Sequence, residues 1–285
     1  MTDADPSQDI PGLPLPLSGA TRLYAIIGDP VAQVGSPAVF NAAFRRLGAQ
    51  AVLVPMHVAA ERLPDLVAGL RAIRNLDGVV ATVPHKIAIS GLLDRVEANG
   101  RRVGAVNAIR VERDGDRAVW VGDNFDGVGC VRGLAKAGHA LQGRSALIVG
   151  AGGAGSAVAH ALADAGVARI RVFDVDKARR ERLAESLRAH HAGLTVETGA
   201  PDPEGFDVAA NCTPLGMRDE DPLPIDPARL AKGALVVDVV LKTPASRLLR
   251  EAERRGCRTQ GGRAMLDGQV EAILQFLGFD APHAR

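Results

Sequence analysis

The stretch Ser145–Gly155, SALIVGAGGAG, joins an apolar run to a glycine cluster, and an alanine-rich segment at helical spacing follows it. Gly150, Gly152 and Gly155 have the spacing G-x-G-x-x-G. In a strand–turn–helix unit the first glycine permits the tight turn, the second lets the backbone approach a pyrophosphate, and the third lets helix and strand pack closely. Because the pattern stands directly between an apolar strand and a helix, it predicts a dinucleotide-binding turn.

An acidic residue follows at the end of the next apolar run. The segment RIRVFDV places Asp174 roughly 20 residues beyond the glycines, where a carboxylate binds the ribose hydroxyls of a nucleotide. A carboxylate there would repel a 2′-phosphate, so Asp174 favours NAD over NADP. Lys177, Arg179 and Arg180 could pair with such a phosphate, although a solvated face of a charged helix is the simpler interpretation. We therefore predict NAD as the cofactor, with NADP as the alternative.

The rest of the chain repeats the alternation of apolar runs and amphipathic segments. With 285 residues, 47% apolar and 24% charged, the composition is typical of a globular chain of about two domains. The alternation, from RLYAIIG at Arg22–Gly28 to ALVVDVV at Ala234–Val240, predicts mostly parallel sheets covered by helices. The predicted fold class is α/β, with an N-terminal substrate domain, a C-terminal Rossmann-like dinucleotide-binding domain and a cleft between them.

The predicted domain limits follow from composition and from the order of the apolar runs. Residues 1–20 are acidic and proline-rich, which indicates a leader without fixed structure. Residues 21–122 with 263–285 are assigned to the substrate domain, and residues 123–262 to the dinucleotide-binding domain. Within the first domain, IAISGLLDRV predicts a helix, and two alternating runs around Asp114-Gly115 predict a hairpin that forms an antiparallel edge of the sheet.

Charge, cysteine content and hydropathy exclude several functional classes. The 34 basic and 33 acidic residues leave a net charge of +1, which gives no footprint for nucleic acid or an anionic membrane. Three cysteines without a C-x-x-C pair fit reduced thiols and predict no structural metal site. Neither a membrane span nor a signal peptide is evident. We expect a cytoplasmic protein with a small-molecule substrate, and a homodimer is compatible with the sequence.

Two polar clusters outside the glycine turn lie where open α/β sheets bind ligands. Lys86 ends the segment TVPHK, just beyond the apolar run GVVA, and Asp126 lies in GDNFDG at the predicted domain junction. A carboxylate beside a partly desolvated lysine would hold the ammonium group and set its pKa. Spacing alone leaves both residues as ordinary surface charges, which is the commoner role of Lys and Asp.

Several separated motifs resemble those of the shikimate and quinate dehydrogenase family, and they occur in the family's order. The motifs are IGDPVAQVGSP ending at Pro37, TVPHK ending at Lys86, GAVNAI around Asn107, GDNFDG ending at Gly127, GAGGAG, NCTPLGM at Asn211–Met217 and GGRAMLDGQ ending at Gln269. The resemblance extends over nearly the whole chain beyond the leader. It implies reversible hydride transfer between a nicotinamide cofactor and the secondary alcohol or ketone of a shikimate-like ring acid.

The resemblance also implies the role of each matched residue. Lys86 and Asp126 would be the catalytic pair, with Lys86 exchanging the proton of the substrate hydroxyl. The implied substrate-binding residues are Ser36, Thr82, Asn107 and Gln269. The implied cofactor-binding residues are Gly150, Ala151, Gly152, Gly153, Ala154, Asp174, Thr213 and Met217.

Three positions depart from the family's pattern toward apolar side chains. Val34 replaces a serine near the substrate carboxylate, Val80 replaces an asparagine, and Leu241 replaces a tyrosine. A hydrogen bond to a charged group contributes about 1.5–3 kcal/mol, so its uncompensated loss would weaken shikimate binding about ten- to a hundredfold. Gln33 could restore one hydrogen bond, and repositioned side chains would leave shikimate binding intact. We predict a divergent member whose substrate is 3-dehydroshikimate or shikimate, quinate, or a less polar ring acid.

A ligand- or NAD-sensing module of the same fold is the alternative hypothesis, in which binding matters and turnover does not. The intact Lys86, Asn107 and Asp126 argue against it. A proton relay at His85, beside Lys86, is a minor alternative to a structural role for that residue.

Two further sites are assigned structural roles. Cys212 is expected to pack as a small apolar group, because no histidine and acid accompany it as they would a nucleophile. His190 and His191 lie on a charged helix, where we expect them to be solvated.

Overall fold

The chain forms two α/β units, each built on its own sheet. The structure, a computed structural model, describes residues 17–115, 117–241 and 245–279. Most of the predicted leader, residues 1–16, therefore lies outside the described residues. The two sheets confirm the predicted α/β class with a parallel-rich first sheet and a Rossmann-like second one.

The first unit is assembled from three separate segments of the chain. It comprises the described residues up to Gly100, then Ala105–Asp123, then Ile273 onward. The second unit comprises Arg101–Gly104 and Asn124–Ala272.

The sheet of the first unit combines parallel strands with one antiparallel hairpin. In the described residues its strands are β1 (Arg22–Gly28), β2 (Ala51–His57), β3 (Leu76–Ala81), β4 (Arg95–Val96), β5 (Ala108–Asp114) and β6 (Arg117–Asp123). The order is β2-β1-β3-β5-β6-β4. Strands β2, β1 and β3 are mutually parallel, and β5 is antiparallel to both β3 and β6.

Helices and short 3₁₀ segments connect these strands. They are α1 (Ser36–Arg46), a 3₁₀ turn at Ala60–Arg62, α2 (Leu63–Arg71), α3 (His85–Ala88), a 3₁₀ turn at Ile89–Leu92 and α4 (Ala98–Val103). Leu63, Val67 and Leu70 follow helical spacing and bury one face of α2 in a core shared with Ala25 and Ile27 of β1. The core explains why β1 reads as a nearly continuous apolar run.

Two local predictions for the first unit need correction. The segment IAISGLLDRV forms no regular helix, since α3 and the 3₁₀ turn end by Leu92 and the chain then enters β4. Asp94 explains the change: its N–H donates to the Trp120 carbonyl, and its carboxylate accepts from the Trp120 N–H at 2.7 Å, which draws the chain onto β6. The predicted hairpin does form, with Asp114 opposite Arg117, but β4 rather than the hairpin is the edge.

The sheet of the second unit is parallel throughout. In the described residues its strands are β7 (Ser145–Val149), β8 (Arg169–Phe173), β9 (Thr195–Thr198), β10 (Val208–Asn211), β11 (Leu235–Asp238) and β12 (Arg258–Gly261). The order β12-β11-β10-β7-β8-β9 is that of the Rossmann fold, and it reverses between β7 and β10. Ligands of such sheets bind at the carboxyl ends of the strands beside this reversal.

Helices cover this sheet, and their sequences explain their boundaries. They are α5 (Asp126–Lys136), α6 (Gly153–Asp164), α7 (Lys177–His190), a 3₁₀ turn at Pro227–Arg229, α8 (Arg247–Arg254) and α9 (Gly262–Phe276). Asp176 and Ser246 begin α7 and α8 as side-chain caps. No helix in the described part of the chain is both long and apolar enough to cross a membrane.

Helix α9 is divided between the two units. Its first part packs in the second unit, where a Cβ added to Gly129 of α5 would lie 2.3 Å from the Met265 carbonyl oxygen. Its last residues belong with the first unit, and the following Phe279 packs on Tyr24 and Phe44 with ring centroids 5.7 and 5.1 Å away. The sequence-based division assigns all of 263–285 to the first domain, whereas this close backbone contact places 263–272 with the second unit.

The expectation that His190 and His191 are both solvated is wrong for His191, which directly follows α7 and whose side chain is only 9% exposed. Its Nε2 lies 2.9 Å from Nδ1 of the buried His160. His160 Nε2 lies 3.1 Å from the Ser186 hydroxyl, which donates to the Arg102 carbonyl. Burial lowers the pKa of His160 to about 3. His190 is exposed, as expected.

Candidate active site

Three predicted site residues of the first unit lie at one edge of its sheet. Thr82 and Lys86 follow the carboxyl end of β3, and Asn107 precedes β5, which is antiparallel to it. The main chain joins them: the Ala81 N–H donates to the Asn107 carbonyl at 2.9 Å, and the Val106 N–H donates to the Lys86 carbonyl at 2.7 Å. Strand pairing therefore brings together residues that lie some twenty positions apart in the sequence.

His85 has a structural position beside Lys86. Only 1% of its surface is exposed, and its Nε2 lies 2.8 Å from the Val58 carbonyl oxygen. A carbonyl only accepts, so Nε2 carries the proton. The ring therefore ties the turn after β3 to the segment that follows β2.

Ser36 is the first residue of α1 and is buried, 8% of its surface being exposed. It ends the loop after β1, which contains Val34, one of the three departures from the family pattern, and Gln33, the residue that could compensate for it. The Gln33 amide donates to the Pro30 carbonyl at 2.9 Å and is exposed, so this donor is used inside its own loop. Val34 N–H donates to the Val31 carbonyl at 3.2 Å, which completes a turn.

The other two departures from the family pattern have different surroundings. Val80 is buried in β3, between Ile26 of β1 and Ala108 of β5 in the strand register. Leu241 is 40% exposed and ends the described segment after β11.

In the second unit, the glycine turn between β7 and α6 has the geometry of a dinucleotide cradle. Gly150 has φ +100°, which favours glycine, and its N–H donates to the Phe173 carbonyl at 2.8 Å. A Cβ on Gly155 would lie 1.8 Å from the Gly150 carbonyl oxygen, whereas a Cβ on Gly152 would meet nothing within 4 Å. The third glycine thus permits the close packing, and no protein atom lies near the position of a side chain at the second, as a pyrophosphate-binding turn requires.

Asp174 directly follows β8 and is fixed against this turn. Its Oδ2 accepts from the Ala151 N–H at 2.7 Å, and its Oδ1 accepts from the Asp176 N–H at 2.8 Å. Arg179 forms an ion pair with Asp176 at 3.3 Å. Arg180 forms an ion pair of the same length with a glutamate of its own helix.

Thr213 and Met217 lie on the segment that follows β10. Thr213 donates through its N–H and its hydroxyl to the Asn211 side-chain oxygen, at 3.0 and 2.7 Å. Met217 is 40% exposed. Cys212 packs against the core of this unit, and burial raises the pKa of its thiol well above the usual value. The expectation of an inert packing role for Cys212 agrees with this environment.

Asp126 and Gln269 lie on two helices that pack backbone to backbone in the second unit. Asp126 begins α5, where its N–H donates to the Asn124 side-chain oxygen at 3.0 Å. Gln269 follows Gly268 on α9, and a Cβ on Gly268 would lie 2.4 Å from the carbonyl oxygen of Gly129 in α5. Both side chains are buried. Gly129 and Gly268 therefore permit this close contact between α5 and α9.

Comparisons with known proteins agree with both units. Residues 26–109 match the family described as "Shikimate dehydrogenase substrate binding domain", and residues 133–184 match the ThiF family. A curated relative from Symbiobacterium thermophilum, named shikimate dehydrogenase (NADP(+)), is 40% identical over 267 residues, which covers 90% of this chain and 89% of the relative. The chain belongs to the shikimate dehydrogenase family.

Solved structures of this family have the same fold. The shikimate dehydrogenase from Aquifex aeolicus is 30% identical, with a TM-score of 0.83 over 93% of this chain and 96% of that one. The shikimate 5-dehydrogenase from Listeria monocytogenes, solved in complex with shikimate and NAD, is also 30% identical, with a TM-score of 0.79 over 92% and 93% of the two chains.

Sequence reasoning does not single out a buried carboxylate in the second unit, Asp238 at the end of β11. Burial raises the pKa of Asp238, and hydrogen bonds from Ser246, Val240 and Asn211 oppose that shift. A single acid inside the apolar run ALVVDVV is the signal that could have found it.

Proposed function

We propose that this protein is an oxidoreductase that interconverts the secondary alcohol and the ketone of a shikimate-like ring acid with a nicotinamide cofactor. The observation that carries this is the pairing of the segment after β3, which holds Thr82 and Lys86, with the segment that holds Asn107, through the Ala81–Asn107 and Val106–Lys86 main-chain hydrogen bonds. Such an edge is where α/β sheets bind small molecules. The second unit supplies the glycine turn that fits a dinucleotide.

Each side chain has a defined task in this reaction. When bound, the nicotinamide supplies or accepts the hydride. Lys86 takes the hydroxyl proton during oxidation and returns it to the forming alkoxide during reduction. Asp126 is the second catalytic residue in this proposal. The hydroxyl and amide groups of the substrate-binding set orient the ring, and that set is Ser36, Thr82, Asn107 and Gln269.

NAD is the cofactor that Asp174 favours. Its carboxylate is fixed beside Ala151 at the end of β8, where it can accept hydrogen bonds from ribose hydroxyls and would repel a 2′-phosphate. NADP is the second candidate, because the relative from Symbiobacterium carries NADP(+) in its name, and because Arg179 and Arg180 stand nearby. Either arginine would have to exchange its present carboxylate partner for the phosphate.

The apolar residues Val34, Val80 and Leu241 support a substrate preference different from that of a strict shikimate enzyme. Gln33 uses one of its two amide N–H donors within its own loop, which leaves one donor that could replace the missing serine hydroxyl. Quinate and a less polar ring acid are therefore candidate substrates beside shikimate. We also propose that the protein is cytoplasmic and that it forms a homodimer. Light scattering after size exclusion would test the homodimer.

Steady-state oxidation of shikimate and of quinate, each with NAD and with NADP, tests the assignment. We expect turnover with at least one of the two acids and a higher kcat/KM with NAD. A higher kcat/KM with NADP would reverse the cofactor assignment. Binding of NADH without oxidation of either acid would instead support the sensing module, and a thermal-shift screen of other cyclic hydroxy acids would then decide between a sensor and a different substrate.

A further inference from the structure

A pair of buried polar residues closes the ends of two neighbouring strands in the second unit. Asn211 and Asp238 are the last residues of β10 and β11 and stand opposite each other in the strand register. Only 2% and 1% of their surfaces are exposed. The Asn211 Nδ2 donates to Asp238 Oδ1 at 3.0 Å. Burial of polar groups costs free energy unless they are hydrogen-bonded. The other hydrogen bonds of Asn211 and Asp238 therefore show which parts of the chain this pair fixes.

The Asn211 amide makes four hydrogen bonds. Nδ2 also donates to the Leu215 carbonyl at 2.9 Å, and Oδ1 accepts both the N–H and the hydroxyl of Thr213. A carboxylate can only accept, so Asp238 requires the nitrogen of the amide on its own side. The amide oxygen then necessarily faces Thr213. Asp238 thereby selects the orientation of Asn211 that organises the segment after β10.

The carboxylate of Asp238 is held at both of its oxygens. Oδ1 also accepts from the Val240 N–H at 3.1 Å, and Oδ2 accepts from the Ser246 hydroxyl. Ser246 is buried and caps α8 by accepting from the Leu249 N–H at 3.3 Å. The position of the Asp238 carboxylate is therefore fixed by Val240 and Ser246, independently of Asn211.

Thr213 connects this network with the dinucleotide turn. A Cβ placed on Gly150 would lie 2.9 Å from Thr213 Cγ2 and 2.9 Å from the Cys212 carbonyl carbon. Thr213 thus lies against the first glycine of the turn, and a displaced Thr213 would change the surface that the nucleotide meets.

We propose that Asp238 is a positioning residue for the nucleotide, acting through Asn211 to hold Thr213 against Gly150. It does so without touching the cofactor. The inference rests on the proposed function only to the extent that the second unit binds a nicotinamide nucleotide.

The test is equilibrium binding of NADH and of NADPH to the full chain, followed by the fluorescence of the reduced nicotinamide. Asp238→Ala removes an acceptor from a charge-assisted hydrogen bond, so we expect the Kd of the nucleotide to rise about tenfold. The KM for the nucleotide rises with it, whereas kcat at saturating nucleotide and the KM for the ring acid stay at wild-type values. A general loss of structure would instead lower kcat and the melting temperature together.

Two variants keep the test sharp if Asp238→Ala folds poorly. Asp238→Asn retains an oxygen that accepts from Asn211 and presents an N–H to Ser246, so we expect the Kd to return to within about threefold of wild type. Ser246→Ala leaves the carboxylate and removes one of its donors, and we expect a smaller rise in Kd that Ser246→Thr reverses.

Asp207→Ala is the matched control. Asp207 precedes β10 at the opposite end of the same sheet, and its carboxylate accepts from the Ser145 N–H, the Ser145 hydroxyl and Arg144, at 2.8, 2.8 and 3.1 Å. Like Asp238→Ala, this substitution removes three hydrogen bonds, but Asp207 lies at the end of the strands opposite the glycine turn. We expect nucleotide binding by Asp207→Ala to equal that of wild type.

The outcomes separate this inference from the proposed function. Wild-type affinity in Asp238→Ala, or an equal loss in Asp207→Ala, would overturn the positioning role. Wild-type protein that binds nucleotide but oxidises neither ring acid would overturn the proposed function, and the binding comparison would still decide the role of Asp238. Wild-type protein that binds neither nucleotide would overturn both.

Discussion

The Lys86 carbonyl oxygen accepts a hydrogen bond from the Val106 N–H at 2.7 Å, which fixes the main chain of Lys86 beside that of Asn107. The backbone position of the lysine is therefore set by the sheet and is independent of its own side chain. Substitution at this position therefore removes the ammonium group and retains this main-chain hydrogen bond.

We expect Lys86→Ala to lower kcat by about 10²–10⁴-fold, the usual contribution of a general acid–base group. The affinity for NADH should stay at the wild-type value, since the glycine turn lies in the other unit. Steady-state kinetics and NADH titration measure the two quantities. Lys232→Ala, which removes an exposed lysine of the second unit, is the control. Near-normal turnover in Lys86→Ala would exclude Lys86 from the mechanism.

The glycine turn permits a separation of folding from binding. Gly152→Ala places a methyl group where no protein atom lies within 4 Å, so we expect an unchanged melting temperature and nucleotide binding weakened by about tenfold. Gly155→Ala places a methyl group 1.8 Å from the Gly150 carbonyl oxygen, so we expect a loss of about 1–3 kcal/mol in the free energy of unfolding. Thermal melting and NADH titration of both variants check this. Equal melting temperatures would contradict the packing role of Gly155.

His85 offers a test of structure against proton relay. We expect His85→Gln, whose amide can still donate to the Val58 carbonyl, to retain most of the wild-type stability and kcat. His85→Ala should lower the free energy of unfolding by about 1–3 kcal/mol, because the buried carbonyl loses its partner. Urea unfolding and kcat at saturating substrates measure the two effects. A large fall in kcat for a stable His85→Gln protein would show that the ring transfers protons.

The buried His160 makes the protein sensitive to acid. The Ser186 hydroxyl donates to the Arg102 carbonyl, so its oxygen accepts from the N–H at Nε2 of His160. The unprotonated Nδ1 of His160 then accepts from His191 Nε2. A second proton, on Nδ1 of His160, would place two N–H donors against each other. Its pKa is about 3 in the folded protein and near 6.5 when unfolded, so the unfolded state binds more protons between these values. The contribution of neutral His160 to the free energy of unfolding is therefore fully present above about pH 6.5 and is lost as the pH falls toward about 3.

We expect the free energy of unfolding to fall by about 2 kcal/mol between about pH 7.5 and about pH 5 because of His160 alone. Urea unfolding at the two pH values measures this difference. His160→Gln should lose the part of the pH dependence that comes from His160, whereas the part that comes from the lowered pKa of His191 should remain. The same slope in His160→Gln and in wild type would assign the sensitivity to other groups.

The substitution Val34→Ser tests the apolar recognition loop. If the ring acid binds through its carboxylate beside Ser36, a second hydroxyl should lower the KM for shikimate by about tenfold. Val31→Ser, in the same loop, is the control. Parallel kinetics with shikimate and quinate measure the change. An unchanged KM for both acids would place the substrate carboxylate elsewhere.

Much of the fold could be predicted because local sequence and packing agree. The run Ser145–Val149 and the glycines after it predict the strand and the turn, and Gly150 and Gly155 have the conformation and the close packing expected of their places in the pattern. The segment around Asp94 could not be predicted in the same way, because its helical periodicity yields to a pairing with Trp120, a residue remote in the sequence.

The candidate site was predictable only in part for the same reason. Strand pairing places Lys86 beside Asn107, and no local sequence pattern specifies that pairing. Only the family resemblance predicts from the sequence that the two residues share a site. Asp238 was missed because its function depends on the amide of Asn211, and such a dependence becomes visible only when both strand ends are placed side by side.

Phe279, which packs on both Tyr24 and Phe44, has a consequence for synthesis of the chain. The N-terminal residues of the first unit are synthesised first, yet its aromatic cluster is complete only after Phe279, which is translated later than the whole of the second unit. The second unit, whose last residue is Ala272, has all of its segments earlier. During translation the later-starting unit can therefore complete its core first, and a nascent chain stalled after Ala272 would expose the apolar face around Tyr24.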